Sequence, residues 1–333
     1  MLTLLLPFLL LAPSATPAPS IGEGWLEDFD RAQQLALETN RDLLVDFTGS
    51  DWCSFCKMLN REVLSTSVFQ EKASADYVLV KVDLPQTAAG LKSVPNMKRN
   101  RELSRQYKIQ KFPTILQMTA EGHVYSTKGY EASGALAYWN SLAEQRLKTR
   151  GPVVESVELA KAFSTGDADA RAKVAARSLI LLPQLPPASS AVPLLIEPVA
   201  HYLTLDPKNE QGNLARALRV ILPSGYALAR HLEVARELDP QNKLGLRELA
   251  LLADAYAIKN DSDTRRVTKA IHVLDAMGPI MDGQAALVLY GNGALWTDRV
   301  LRDGEKAKEL ARKALPYARG KPLENQLQRL LRK

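Results

Sequence analysis

A mixed-sheet α/β domain followed by an all-helical domain is the fold class this 333-residue sequence predicts, on three observations. Hydrophobic periodicity alternates between helical and strand spacing up to about Arg150. A Cys-x-x-Cys pair, Cys53 and Cys56, falls where a predicted strand gives way to a predicted helix. Beyond Arg150 strand signals vanish, and Ala- and Leu-rich helical patterns alternate with proline breaks. The length suits two cores, because domains commonly run about 100–200 residues. A composition of 46% hydrophobic and 24% charged residues excludes a disordered chain and one with repeated membrane spans.

The first apolar run, residues 2–11, fits a signal-peptide core and is too short to cross a bilayer as a helix. Small residues over 12–20 offer cleavage near Ala15 or Ala18, so residues 1–18 are expected to be a leader and the protein to be exported, periplasmic or otherwise extracytoplasmic. An uncleaved membrane anchor or a mis-called start is the alternative. Leu26, Phe29, Ala32, Leu35 and Ala36 then recur at helical spacing and end at Asn40. Leu43, Leu44, Val45 and Phe47, interrupted by Asp46, read as a buried strand entering a turn over 48–51.

A helix is expected to start at the cysteines and run toward Leu64, with Ser67 capping a further helix to Ala75. Residues 77–82 read as a strand, 85–96 as a polar connection, and a basic helix ends near Tyr107. Residues 112–118 and 123–127 form a predicted hairpin about the Glu121, Gly122 turn, and 131–147 a last amphipathic helix. That order implies a mixed sheet with helices on both faces, placing one domain at 21–150 and a helical domain at 151–333.

In the helical half, Leu205, Asp206, Pro207, Lys208, Asn209 returns 33 residues later as Leu238, Asp239, Pro240, Gln241, Asn242. This resembles tetratricopeptide repeats, with Ala235 and Ala311 at matching small positions. Most aromatic and glycine positions of the repeat's first helix are missing, so a generic helical bundle is the other reading. A protein partner is expected on this half, and export argues against nucleic acid. The formal charge of +6 shows local excess over 92–111 and after Arg299. Such excess suits acidic partners, and solvated helix faces carry the same signature.

The chain has two cysteines in all, so they demand one explanation. At a helix start, free N–H groups and the helix dipole favour a thiolate on Cys53, making it the attacking nucleophile. Cys56 returns to the same face one turn on, deeper and suited to resolve a mixed disulfide. Zinc would need two further ligands, and the four histidines are scattered without ligand spacing. Covalent haem attachment would need histidine where Lys57 stands. A purely structural disulfide stays open, although so small a loop constrains the unfolded chain little. No metal and no cofactor are expected.

The segment from Asp46 to Cys56, Asp-Phe-Thr-Gly-Ser-Asp-Trp-Cys-x-x-Cys, resembles the thioredoxin superfamily, in particular its exported thioredoxin_7-type proteins of thiol:disulfide interchange. The similarity runs from about Trp25 to Leu147, with a second anchor at Lys111, Phe112, Pro113, Thr114. The resemblance implies a cis Pro113 facing the cysteines, a Phe112 backbone that pairs with extended substrate, and Thr114 and Gly129 beside the same groove. It implies Trp52 as the aromatic residue packed by the active site, Asp46 as the buried acid serving the second cysteine, and Lys81 as that acid's basic partner. One extra residue between Asp46 and Cys53, and Ser54, Phe55 in place of Gly-Pro, depart from thioredoxin and leave the direction of electron flow open.

The expected function is a thiol-disulfide oxidoreductase, of reductase or isomerase type, exchanging disulfides with exported proteins and recharged by an unidentified redox partner. The alternative is a helical-repeat interaction protein whose first domain is a scaffold with an inert disulfide.

Overall fold

A computed structural model describes residues 24–186, 189–258, 263–277 and 279–332. The expected leader, 1–18, lies outside the described residues. The chain divides between Arg150 and Gly151 into two compact units.

In the first unit, α1 (Phe29–Thr39) begins where the Asp28 carboxylate accepts the Arg31 N–H at 3.1 Å. It ends at Asn40, whose φ of 51° is a left-handed C-cap, and it buries Phe29, Ala32, Leu35 and Ala36. β1 (Asp42–Thr48) is buried throughout. It pairs in parallel with β2 (Tyr77–Asp83) and antiparallel with β3 (Thr114–Met118), which forms a hairpin with β4 (Val124–Lys128). The order β2-β1-β3-β4 is a mixed sheet with β1 inside it.

The pleat sends Leu43, Val45 and Phe47 to one face, where they pack with α1, Val78, Val80, Val82, Leu116 and Met118. Asp42 and Asp46 alternate to the other face. Asp42 is satisfied there, accepting from the Tyr125 hydroxyl at 2.8 Å, Arg146 Nε at 3.1 Å and Arg150 Nε at 2.7 Å.

α2 (Ser54–Leu59) continues as one π turn over Asn60–Leu64. The cap of α3 (Ser67–Asp76) is Thr66 rather than Ser67: the Thr66 hydroxyl accepts the Phe69 N–H, and Ser67 is the first helical residue. The polar connection contains α4 (Ala88–Ser93), which buries none of its residues and so leaves no periodic trace in the sequence. α5 (Met97–Gln106) is the basic helix, burying Asn100 and Leu103. β3 starts at Thr114, two residues later than expected, since Pro113 has no N–H for the ladder. α6 (Ala135–Thr165) runs past the expected end at Leu147 with Pro152 inside it, and Ser156 Oγ donates back to the Pro152 carbonyl at 2.7 Å.

The second unit consists of α7 (Ala168–Leu181), α8 (Val192–Ala200), α9 (Tyr202–Leu205), α10 (Asn213–Ile221), α11 (Ala229–Leu238), α12 (Leu246–Tyr256), α13 (Thr264–Ala276), α14 (Gly283–Trp296), α15 (Gly304–Ala318) and α16 (Leu323–Arg332). No strand occurs among its described residues. The 33-residue interval is a repeated helix-entry device. Asp206 accepts the backbone N–H groups of Gln211 and Asn213, and Asp239 those of Leu244 and Leu246, at the same offsets. Asn209 and Asn242 are both left-handed and accept from Ala215 and Glu248. Gly212 and Gly245 supply the positive-φ caps of α10 and α12.

Asp239→Ala would leave the α12 entry amides without their acceptor, at a cost of about 1–3 kcal/mol. Hydrogen exchange read by mass spectrometry should show faster exchange in α12, and unchanged protection would contradict the capping role.

Candidate active site

The turn from β1 into α2 is built by short-range contacts. The Cys53 N–H donates to the Gly49 carbonyl at 2.8 Å, and the Ser50 N–H to Asp83 Oδ1 at 3.0 Å. The Trp52 ring lies over Gly49, where a Cβ would fall 2.4 Å from Cε2, and the indole N–H donates to the Leu84 carbonyl at 2.9 Å. Asp51 accepts from the Gln86 and Thr87 N–H groups and from the Thr87 hydroxyl at 2.6 Å. The Thr87 hydroxyl, with those amides, holds the Asp51 carboxyl below the usual carboxylate range. The cysteine turn is thereby tied to the segment that follows β2.

Cys53 is the N-cap of α2, with extended backbone, and its Sγ accepts the Cys56 N–H at 3.2 Å. The two cysteines form a disulfide with a Cα separation of 5.2 Å. Cys53 is 5% exposed and Cys56 3%, so both are buried and Cys56 is the less open to solvent, as expected, by a narrow margin. The bond holds both sulfurs side by side under one cover.

The Phe112–Pro113 peptide is cis, the isomer the resemblance implies. Phe112, Pro113, Thr114 and Gly129 line one groove of about 370 Å³, together with Phe55, Lys111, Thr127, Lys128 and Tyr130. Gly129 lacks left-handed backbone, and a Cβ there would meet only the Pro113 carbonyl at 3.7 Å. Glycine therefore keeps the groove open without being required by the backbone. Phe112 meets Trp52 edge-on at 5.3 Å, while Phe55 and Tyr130 lie 5.8 Å apart, with the Tyr130 hydroxyl donating to Glu62 at 2.7 Å. Thr114 Oγ1 donates to the Lys111 carbonyl at 2.7 Å and closes the turn. The sequence signal for Phe55 was its place between the cysteines, and for Tyr130 its place beside Gly129. Thr127 and Lys128 gave none.

Asp46 is buried at 5% exposure, and its Oδ1 has no hydrogen-bond partner among the described residues. Burial first, then the Asp83 charge, pushes its carboxyl up to about 7, against a smaller opposing pull from Lys81. Lys81 stands opposite Asp46 in the β1–β2 register. Its ammonium, however, binds Glu27 at 2.7 Å, so the expected Asp46–Lys81 partnership is corrected to a longer-range field. Glu27 lies just before α1 and intercepts the lysine.

Among the described residues, no group of three or more His, Cys, Asp or Glu side chains is placed to hold a metal ion. No helix there is long and apolar enough to cross a membrane. What the arrangement offers chemically is a disulfide with one sulfur at a helix start, in the same unit as a buried acid raised to about 7 and a groove beside a cis-proline.

Comparison with known proteins agrees with this geometry. Residues 29–139 match the family profile described as a thioredoxin-like domain, without specifying a subtype. The disulfide bond reductase DsbH of Chlamydia pneumoniae is 31% identical over 112 residues, covering 34% of this chain and 66% of that protein. The thioredoxin-related protein DsbJ of the same organism is 28% identical over 97 residues, 29% of this chain and 27% of that one. The chain thus spans 66% and 27% of the lengths of these two curated relatives. A solved DsbH oxidoreductase structure shares 27% identity over 37% of this chain and 85% of its own, with a TM-score of 0.33. Residues 29–139 accordingly form a thioredoxin-like domain, carried in this chain ahead of a large all-helical region.

Proposed function

We propose that the protein is a thiol-disulfide oxidoreductase that reduces or rearranges disulfides of exported proteins. The observation that carries the reading is the Cys53–Cys56 disulfide capping α2, in the domain that also holds the groove beside Pro113. The likeness to a protein named as a disulfide bond reductase supports the reductive direction.

In the reduced form, the Cys53 thiolate attacks one sulfur of a substrate disulfide; that S–S bond breaks, a Cys53–substrate disulfide forms, and the departing thiolate takes up a proton. Cys56 gives its proton to the Asp46 carboxylate and attacks Cys53 Sγ. The substrate leaves as a dithiol with two electrons gained, and the Cys53–Cys56 disulfide is restored. A thiol partner supplying two electrons recharges the site. Phe112, Pro113, Thr114 and Gly129 hold the extended substrate segment, and Trp52 packs beside it. Lys81 tempers the acid through its charge. The helical region supplies a protein-binding surface.

Cys56→Ser tests this directly. The variant should accumulate mixed disulfides on Cys53, visible on non-reducing gels and identified by mass spectrometry, and the adducts should disappear in the double serine variant. No adducts, with the intact protein still turning over a protein disulfide, would overturn the assigned order of the thiols.

A second reading, an interaction protein with an inert disulfide, draws on the small exposed area of both sulfurs. It requires a bond that stays oxidised in mild dithiol.

A further inference from the structure

Seven of the chain's cations and one acid, Glu102, fall in residues 92–111, so this segment alone accounts for the whole formal charge of +6 and the rest of the chain is neutral. Arg99 is engaged with Asp30 and Glu102. The other six, Lys92, Lys98, Arg101, Arg105, Lys108 and Lys111, are exposed and make no ion pair among the described residues. Lys98, Arg101 and Arg105 share one face of α5, opposite the buried Asn100 and Leu103. Lys111 lies on the wall of the Pro113 groove, five residues after α5 ends, within about 17 Å of chain. The C-terminal end of α5 is therefore tethered within that reach of the groove wall.

We propose that this stripe selects the substrate: disulfides whose flanking segment is acidic are drawn along α5 into the Pro113 groove. This rests on the redox reading above and adds the substrate's charge class to it. Exposed like charges that no acid neutralises project a field over roughly one Debye length, about 8 Å at physiological salt, and raise the encounter rate of an anionic partner. A membrane surface fits less well, because no large apolar side chain of residues 92–111 is exposed to enter the lipid.

The test uses the full-length reduced protein and three peptides joined by a disulfide to the same chromophore, with aspartate, serine or lysine flanking the cysteine. Stopped-flow exchange at low ionic strength should be about 10-fold faster for the aspartate peptide than for the lysine peptide, and about 0.5 M salt should bring the ratio below about 2-fold. The triple variant Lys98→Glu, Arg101→Glu, Arg105→Glu should lose the preference and keep its rate with the serine peptide. Equal rates for all three peptides, or a preference that survives the triple variant, would overturn the charge selection while leaving the redox reading intact. Failure to react with any peptide would overturn both. Binding to vesicles of anionic phospholipid without discrimination among peptides would assign the stripe to a membrane and reject the proposal.

Discussion

At pH 8, Asp46→Asn stabilises the thioredoxin-like domain by about 4 kcal/mol, and at pH 4 the difference shrinks to under about 1 kcal/mol. The cause is the carboxyl's position. It is buried on β1 with one oxygen unpaired, and burial followed by the Asp83 charge raises it from an ordinary 3.8 to about 7. Between those two values the folded protein holds one proton that the unfolded chain has released. Stability therefore falls as pH rises through this window, by about 1.4 kcal/mol per unit, and above pH 7 the full cost is constant. Below about pH 3 both states are protonated and the cost is gone. Asparagine has the same shape without the charge, so it removes the loss. Hydrogen exchange of the β1 amides in urea, compared between the two proteins at pH 4 and pH 8, reads the difference; a gain independent of pH would mean that the ionised carboxylate is not what is disfavoured.

The same substitution exposes the functional side of that cost. On the proposed mechanism an ionised Asp46 would accept the proton of Cys56 above pH 7, whereas below it the acid is already protonated. The resolving step of the parent should accelerate with pH through about 7, and the asparagine variant should lose that inflection. A buried acid that only weakened the fold would leave the kinetic profile unchanged.

What made this protein legible was local chemistry with a strong period. β1 shows as Leu43, Leu44, Val45 and Phe47 because it is buried on both faces, and Asp46 stands out because a carboxylate there needs a reason. The helix start at Cys53 and the Leu205 to Asn209 repeat are punctuation that short-range hydrogen bonds impose. The less legible features depend on partners distant in sequence. That Glu27 takes Lys81 away from Asp46 is settled 54 residues apart, and Tyr130 is fixed by Glu62 at a separation of 68. α4 buries nothing, so no period announces it. The continuation of α6 through Gly151 and Pro152 defeats a propensity rule that reads such a pair as an end.

Cys53→Ser should lower the rate of protein-disulfide exchange by at least about three orders of magnitude, because a hydroxyl does not ionise near neutral pH and cannot form the mixed disulfide. The substitution is clean because of where Cys53 sits. Its Sγ already acts as the N-cap acceptor for the Cys56 N–H, and serine is among the best residues for that task, so the start of α2 is preserved. Circular dichroism and the thermal midpoint of the variant should match those of the reduced parent, separating lost chemistry from lost structure. Exposure hardly separates the two cysteines, at 5% and 3%. The proposed choice rests on the cap: a thiolate on Cys53 Sγ would be stabilised by the helix start, where it already accepts the Cys56 N–H. If Cys53→Ser keeps exchanging disulfides and Cys56→Ser does not, the helix start is not what activates the nucleophile, and the roles of the two cysteines are reversed.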